Sequence, residues 1–320
     1  MTSISPTVAA LTPHPLDFVE VAVLERAGLV ESRHRGIAAL VGPDGKLIDH
    51  LGVPKPLIYP RSAVKPLQVV AMRRAGLDLV GEELAICAGS HQGTGRHIAL
   101  VDGILAGVGL DENALQCPPA WPGNAAARAE AVGESKAAFN CSGKHAGFIA
   151  ASKAAGWDVE TYLDPEHPLQ KLVEEVFVEF SGEAILHSTI DGCGAPLHTI
   201  TVEGLARAIG KFAATEPEIV NAMLAHPWAV GDTKSPDAVI MQHGMVAKLG
   251  AEGVFVIGLK SGHGVAVKIA DGSLRAAPLV ALKLLQRNGL LDDATYAELH
   301  AALTVKSMGG AQSVGELRAL

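Results

Sequence analysis

A Ser-x-x-Lys pair, Ser62 and Lys65, is the part of this sequence with the most evident chemistry. An apolar helical pattern follows it, and three residues make nearly one helical turn, so both side chains would lie on one face. A serine hydroxyl becomes a nucleophile only beside a base, and a lysine can be that base when burial or a nearby cation lowers its pKa. By itself, the pair is also compatible with a helix-capping serine followed by a solvated lysine.

Two further segments extend this pattern, Ser90-His-Gln92 and Lys260-Ser-Gly262. With Ser62 and Lys65 they follow the order of the three motifs that mark penicillin-binding proteins and serine β-lactamases. A second cation near the nucleophile would keep the first lysine partly neutral, and a strand ending at Lys260 could pair with an acyl substrate. Ser90-His-Gln92 departs from the Ser-x-Asn of those enzymes, which argues against antibiotic or peptidoglycan chemistry.

Two glycine-rich segments carry a third group of reactive side chains. These are Cys141, Lys144, His145, Asp191 and Cys193. Thiolates suit a borderline-soft metal such as zinc, and a lysine can ligate only when it is deprotonated. The alternative is an inert pair of small buried cysteines packed close to glycines. No Cys-x-x-Cys occurs, and in a large cytosolic chain the wide spacing of the cysteines favours free thiols or metal ligands over disulfides.

Strand patterns at both ends of the chain would position these groups. The predicted strands are 18–26, 36–42, 254–259 and 265–270, with a charged loop at 30–36. The pattern between about 97 and 230 is mostly helical. We predict an α/β (α+β) fold, with a mixed, mainly antiparallel sheet built from both termini, flanking helices and an inserted helical subdomain. Residues 1–18 would form an N-terminal arm and 19–320 a single catalytic domain.

Composition excludes several classes of function. The chain has 320 residues, of which 48% are hydrophobic, and a formal charge of -8 without a clustered basic run, so nucleic acid is not an expected partner. Residues 1–18 contain prolines and no Lys or Arg, unlike a signal peptide. No apolar run approaches the roughly 20 residues of a membrane helix. We therefore expect a cytoplasmic protein that does not bind membranes.

Five motifs taken together resemble those of the Rhizobium-type (class 3) L-asparaginases. They are Arg-Ser-x-x-Lys-Pro at 61–66, Gly-Ser-His at 89–91, Cys-Ser-Gly-Lys-His at 141–145, Asp-Gly-Cys-Gly-x-Pro at 191–196 and Lys-Ser-Gly at 260–262. The resemblance runs from about Val19 to the C-terminus. It implies a serine β-lactamase/glutaminase-like fold, a homodimer, and hydrolysis of L-asparagine to aspartate and ammonia.

The resemblance also implies roles for single residues. Ser62 would be the nucleophile, paired with Lys65, while Ser90 would form a second pair with Lys260. One zinc ion per chain, supporting substrate binding, would be held by Cys141, Lys144 and Cys193. The expected substrate-binding residues are Arg61, His145, Asp191 and His263. The alternatives are a glutaminase or a penicillin-recognising serine hydrolase of the same fold, and, in another class, a catalytically silent, metal-stabilised amino-acid-binding protein.

Overall fold

A computed structural model describes residues 10–320, so the first part of the predicted arm, residues 1–9, lies outside the described residues. The strands are β1 Val19–Arg26, β2 Leu29–Val41, β3 Leu47–Leu51, β4 Leu57–Ile58, β5 Ser188–Ile190, β6 Pro196–His198, β7 Ile200–Thr201, β8 Val246–Gly250, β9 Val254–Gly258, β10 Gly264–Ile269, β11 Lys306–Gly309 and β12 Gln312–Ala319. The α-helices are α1 Lys65–Arg74, α2 Gly81–Cys87, α3 Gly95–Gly107, α4 Ala125–Glu130, α5 Ser142–Ala154, α6 Pro168–Ser181, α7 Val202–Thr215, α8 Pro217–Ala225, α9 Pro227–Val230, α10 Pro236–Met241, α11 Ala277–Arg287 and α12 Asp293–Leu303.

The main sheet combines the two ends of the chain. Its order is β11-β12-β1-β2-β10-β9-β8, with β3 pairing with β2, and the pairings within it are antiparallel. Every residue of β9 is buried, because α7 and α11 pack against this part of the sheet. A strand covered in this way needs a continuous apolar run and not an alternating one. The predicted α/β fold, with a sheet built from both termini, is confirmed.

The charged loop predicted at 30–36 is wrong. β2 begins at Leu29, directly after a two-residue turn in which Ala27 and Gly28 have φ of 49° and 83°. Positive φ at both turn residues suits the twist of a tight hairpin. The charged side chains occupy the outer part of this hairpin, where most of them are exposed, so they do not interrupt the strand.

Two helices that are buried on almost every side carry candidate site residues into the interior. Residues 65–72 of α1 and residues 142–152 of α5 are buried without a solvent-facing stripe. A helix of this kind belongs to the core of a large domain. Lys65 and Lys144 are therefore surrounded by protein and must find their partners there. Among the described residues, no helix combines the length and apolar character needed to cross a membrane.

Candidate active site

Ser90 lies between two buried lysines. Its Oγ is 3.1 Å from the Nζ of Lys65 and 3.1 Å from the Nζ of Lys248, on β8. Each of the three residues is at most 4% exposed. A hydroxyl has one proton to donate and two lone pairs to accept. Ser90 can therefore accept a hydrogen bond from a charged lysine while donating its own proton to a neutral one.

Of the two lysines, Lys248 is the one whose surroundings favour the neutral amine. Burial lowers its pKa to about 8; the positive charge of Lys65 adds to this shift and the carboxylate of Asp237 opposes it. The Asp237 Oδ2 lies 3.4 Å from the Lys248 Nζ, and both side chains are fully buried. Backbone N–H groups of Ala238 and Leu249 donate to the carboxylate at 3.1 and 3.3 Å and hold it in place. Lys248 can thus accept the proton of Ser90 near neutral pH.

The predicted pair of Ser90 with Lys260 is not formed. Lys260 is exposed in the turn after β9, and its Nζ donates to the Asn221 Oδ1 at 3.4 Å. His263 lies in the same turn, where its Nδ1 is 2.9 Å from the Ser261 Oγ. Since Ser90 is buried with its hydroxyl already shared by two other lysines, Lys248 takes the position that the sequence assigned to Lys260. The charged side chain of Lys260 remains on the surface because burying a charge without a partner costs free energy.

Ser62 lies in the 3₁₀ turn Arg61–Val64 that leads into α1. It is partly exposed, whereas Ser90 is buried. Lys65 donates to the carbonyl oxygen of Gly89 as well as to Ser90, and within residues 10–320 no hydrogen bond joins it to the Ser62 hydroxyl. Arg61 has a φ of 52°, a conformation that strains a non-glycine residue and is often retained at functional sites. The role of Ser62 as nucleophile stays a prediction.

The loop that presents Ser90 is fixed by its backbone. The Ser90 N–H donates to the Val230 carbonyl at 2.7 Å, and the His91 N–H donates to the Asn140 carbonyl at 3.1 Å. A Cβ at Gly89 would lie 2.8 Å from the carbonyl oxygen of Ile86, so only glycine fits there. The hydroxyl of Ser90 is therefore held in one position relative to the two lysines.

A cluster of thiols and amines lies next to this serine. The Lys144 Nζ is 2.9 Å from the Cys193 Sγ. A hydrogen bond from Cys193 and the nearby charges of Lys65 and Lys144 hold the pKa of Cys141 well below its usual value, although burial opposes the shift. Burial opposes a raised pKa at Lys144 as well, but the sulfur atoms of Cys193 and Cys141 outweigh it. Lys65 thus faces both Ser90 and Cys141.

His145 is buried behind this cluster. Its Nδ1 is 2.7 Å from the Tyr162 hydroxyl, and its Nε2 has no hydrogen-bond partner of normal geometry among the described residues, although it lies beside Cys193. Burial and the charge of Lys144 lower the pKa of His145 to about 4. The imidazole supports the thiol cluster and does not line the large cavity described below.

The donor set of this cluster is of the kind that zinc uses, and Lys144, whose pKa is raised here, would have to release its proton to bind the ion. The residues from 10 to 320 contain no group of three or more His, Cys, Asp and Glu side chains that could hold a metal, so a site here must include Lys144. Two sulfur atoms and an amine converge in the cluster, and the unpaired Nε2 of His145 lies beside one of the sulfurs. Zinc favours sulfur and nitrogen ligands in this number, with a further position left for water or substrate.

Arg61 and Asp191 form an ion pair on the wall of a cavity of about 550 Å³. The Arg61 Nε donates to the Asp191 Oδ1 at 2.7 Å, and both side chains are partly buried. A carboxylate and a guanidinium side by side can bind the amine and the carboxylate of an amino acid. The structure therefore brings together two of the predicted substrate-binding residues, Arg61, which precedes Ser62 in sequence, and Asp191, and it leaves His145 and His263 elsewhere.

Comparison with known families places these features in context. A profile described as L-asparaginase II matches residues 22–319. The chain belongs to the L-asparaginase II family, which confirms at family level the resemblance stated from the motifs.

Solved structures and curated proteins add little to this. The crystal structure of Mglu in its native form is 15% identical, with a TM-score of 0.46 over 81% of this chain and 66% of that chain. Mglu in its glutamate form gives 15% identity and a TM-score of 0.44 over 80% of this chain and 60% of that chain. This chain thus spans 60–66% of the length of these two structures. The search of curated proteins found no match.

Proposed function

We propose that the chain hydrolyses the side-chain amide of L-asparagine to L-aspartate and ammonia through an acyl-enzyme on Ser62. The observation that carries this proposal is Ser90, whose hydroxyl is held between Lys65 and Lys248 at 3.1 Å from each, in a member of the L-asparaginase II family. Such a network can take up a proton and return it, which both halves of an acyl transfer require.

The first half of the reaction forms the ester. Arg61 and Asp191 bind the α-carboxylate and α-amine, so that the side-chain amide points towards Ser62. Ser62 loses its proton to the network of Lys65, Ser90 and Lys248 as its Oγ attacks the amide carbon. Backbone N–H groups at the start of the 3₁₀ turn stabilise the oxyanion. The network then protonates the leaving nitrogen, and ammonia departs.

The second half reverses these proton movements. Water attacks the ester carbon while the network, with Lys248 neutral, accepts a proton from the water. Collapse of the intermediate releases aspartate and returns a proton to the Ser62 Oγ. No external reductant or oxidant is needed, since one water is consumed and one ammonia is released.

We also propose that Cys141, Lys144 and Cys193 hold one zinc ion per chain that supports substrate binding. When bound, zinc would supply an electrophilic centre for a polar group of the substrate. Lys65 contacts both the serine network and Cys141, so the charge of this lysine acts on both clusters. A cytoplasmic homodimer is part of the same proposal, and sedimentation of the purified protein tests the assembly.

Ammonia release from L-asparagine and L-glutamine by the purified protein tests the function. We expect asparagine to be hydrolysed, with Ser62→Ala inactive and still folded, since Ser62 is partly exposed and its side chain caps neither the 3₁₀ turn nor α1. Mass spectrometry of protein that is rapidly quenched and then digested should find an acyl adduct in the peptide that contains Ser62. An adduct on Ser90 would reverse the two roles. Turnover of nitrocefin without turnover of asparagine would favour the penicillin-recognising alternative, and binding without turnover would favour a silent binding protein.

A further inference from the structure

The cavity that contains Arg61 and Asp191 is larger than asparagine requires. Its volume of about 550 Å³ falls within the roughly 300–1,000 Å³ of sites that bury a drug-sized ligand. Free asparagine is far smaller than such a ligand, and an ion pair binds its α-amine and α-carboxylate within one part of the space. The rest of the cavity is thus available to a group attached to the amino-acid end of the substrate.

The unused part of the cavity has apolar walls. Leu57 and Ile58 come from β4, Ile190 and Leu197 from the β5–β6 hairpin, and Pro13 from the N-terminal arm. Ile190 is 70% exposed, which is unusual for a large apolar side chain at a cavity. Asparagine carries no apolar group that could cover these walls. An aliphatic side chain would gain the hydrophobic contribution of burial here.

A lysine with spare hydrogen-bonding capacity also lines the cavity. The Lys268 Nζ donates to the carbonyl oxygens of Glu252 and Ile269 at 2.7 and 2.6 Å. An ammonium has three donors, so one N–H remains for a ligand. A ligand carboxylate would accept this hydrogen bond, beside the Glu252 side chain that also lines the cavity and that, with Asp271, already acts on the charge of Lys268. The cavity therefore offers, in one space, an ion pair, an apolar surface and a cation.

We propose that this cavity binds asparaginyl dipeptides whose second residue is aliphatic, and that the chain deamidates their asparagine side chain. The proposal rests on the asparaginase function proposed above and extends its substrate class. The α-amine would lie at Asp191, the aliphatic side chain against Ile190 and Leu197, and the terminal carboxylate at Lys268. The balance is that of the free amino acid: water is consumed, the side-chain amide C–N bond breaks, ammonia leaves and the peptide bond stays intact.

Three substrates separate the contributions: L-asparagine, Asn-Gly and Asn-Leu. Ammonia release gives kcat/KM for each, and chromatography identifies Asp-Leu as the product. We expect kcat/KM for Asn-Leu to exceed that for Asn-Gly by about tenfold, because a largely buried leucine side chain contributes at least the energy of one factor of ten. Equal values, or no turnover of either dipeptide while asparagine is hydrolysed, would overturn the proposal. Failure with asparagine itself would instead overturn the proposed function.

Ile190→Asp tests the apolar wall without a risk to the core, since the side chain is mostly exposed. It should lower kcat/KM for Asn-Leu more than for asparagine, by up to about the tenfold that burial of the whole leucine side chain contributes. Leu16→Asp is the matched control, because Leu16 is 81% exposed and does not line the cavity, and its values should equal those of the unaltered chain. A second copy of the chain is the other possible occupant. If Ile190→Asp changes the mass from dimer to monomer and leaves the preference for Asn-Leu unaltered, the cavity is an assembly surface and the proposal is wrong.

Discussion

Replacing Asp237 with asparagine should shift the pH dependence of the reaction to lower pH. The carboxylate lies 3.4 Å from the Lys248 Nζ in a fully buried pair, and it opposes the fall in the pKa of Lys248 that burial causes. Asparagine keeps the shape of the side chain and an oxygen that can accept from the backbone. It removes the charge that favours the ammonium form, and it keeps one of the two oxygens that accept from the backbone N–H groups of Ala238 and Leu249.

The size of the shift follows from the geometry. An opposite charge within about 4–6 Å changes a pKa by roughly 1–3 units, and each unit corresponds to about 1.36 kcal/mol. Without the carboxylate, the pKa of Lys248 should fall from about 8 to roughly 5–7. Since the neutral amine is the proposed base, the ascending limb of kcat/KM moves down in pH by the same amount, with some loss of maximal rate because a weaker base accepts protons less well.

The assay is kcat/KM for asparagine between pH 5 and pH 9, the limits set by the values above, with thermal melts at each pH. Because the pKa of Lys248 in the folded protein lies below its usual value, its contribution to stability is present at high pH and is lost as pH falls through about 8. In the variant, this loss of stability should extend to lower pH values, because the pKa of Lys248 is lower there. Asp49→Asn is the control. Asp49 lies on β3 and pairs with Arg287, and its replacement should leave the profile unchanged. An ascending limb that stays in place, or moves up, would refute Lys248 as the base.

Three other predictions concern the lysines, the metal and the arm. Lys248→Met should lower kcat by at least about 100-fold, as loss of a general base does, while Lys260→Met should leave steady-state kinetics unchanged; the opposite ranking would restore the pairing first inferred from sequence. Protein prepared without added metal should contain about one zinc per chain by elemental analysis. Cys193→Ser should lose the zinc and raise KM more than it lowers kcat. Metal-free protein with an unchanged KM would show that the thiols are inert. Deleting residues 2–13 should raise KM with little change in kcat, because Thr12 and Pro13 line the cavity and the Leu11 carbonyl accepts a 2.7 Å hydrogen bond from Leu57; an unchanged KM would exclude the arm from the site.

The parts of the site that sequence could predict are those with local signals. Cys141 with Lys144 spans one helical turn, so the spacing itself places these two residues together, whereas Ser62 and Lys65 share the same spacing and no hydrogen bond joins their side chains within residues 10–320. Glycine-rich motifs mark Ser90 and Cys193, where loops bring the backbone close to other elements. The sheet could be predicted because continuous apolar runs at both ends of the chain are typical of buried strands.

Lys248 could not be found in this way. It is a single lysine in the apolar strand Val246–Gly250, and by the two-residue period of a strand it reads as one solvent-facing position. Its burial depends on α10 and the 3₁₀ turn Arg61–Val64 packing against β8, which no local pattern records. One signal was present: a buried lysine needs a partner, and Asp237 precedes it by 11 residues. Lys260 was preferred because its motif follows a familiar order, and order in the chain does not fix distance in the fold.

The strand pairing sets an order in which the site can form during synthesis. β2 pairs with β10, and Ala22 of β1 pairs with Ala319, so the first strands wait for nearly the whole chain before the sheet can close. Such non-local contacts raise the contact order and slow folding, and until they form the nascent hairpin exposes two unpaired edges. Lys248 leaves the ribosome long after Ser90. A partly synthesised chain therefore holds a serine without its base until β8, which carries Lys248, is in place.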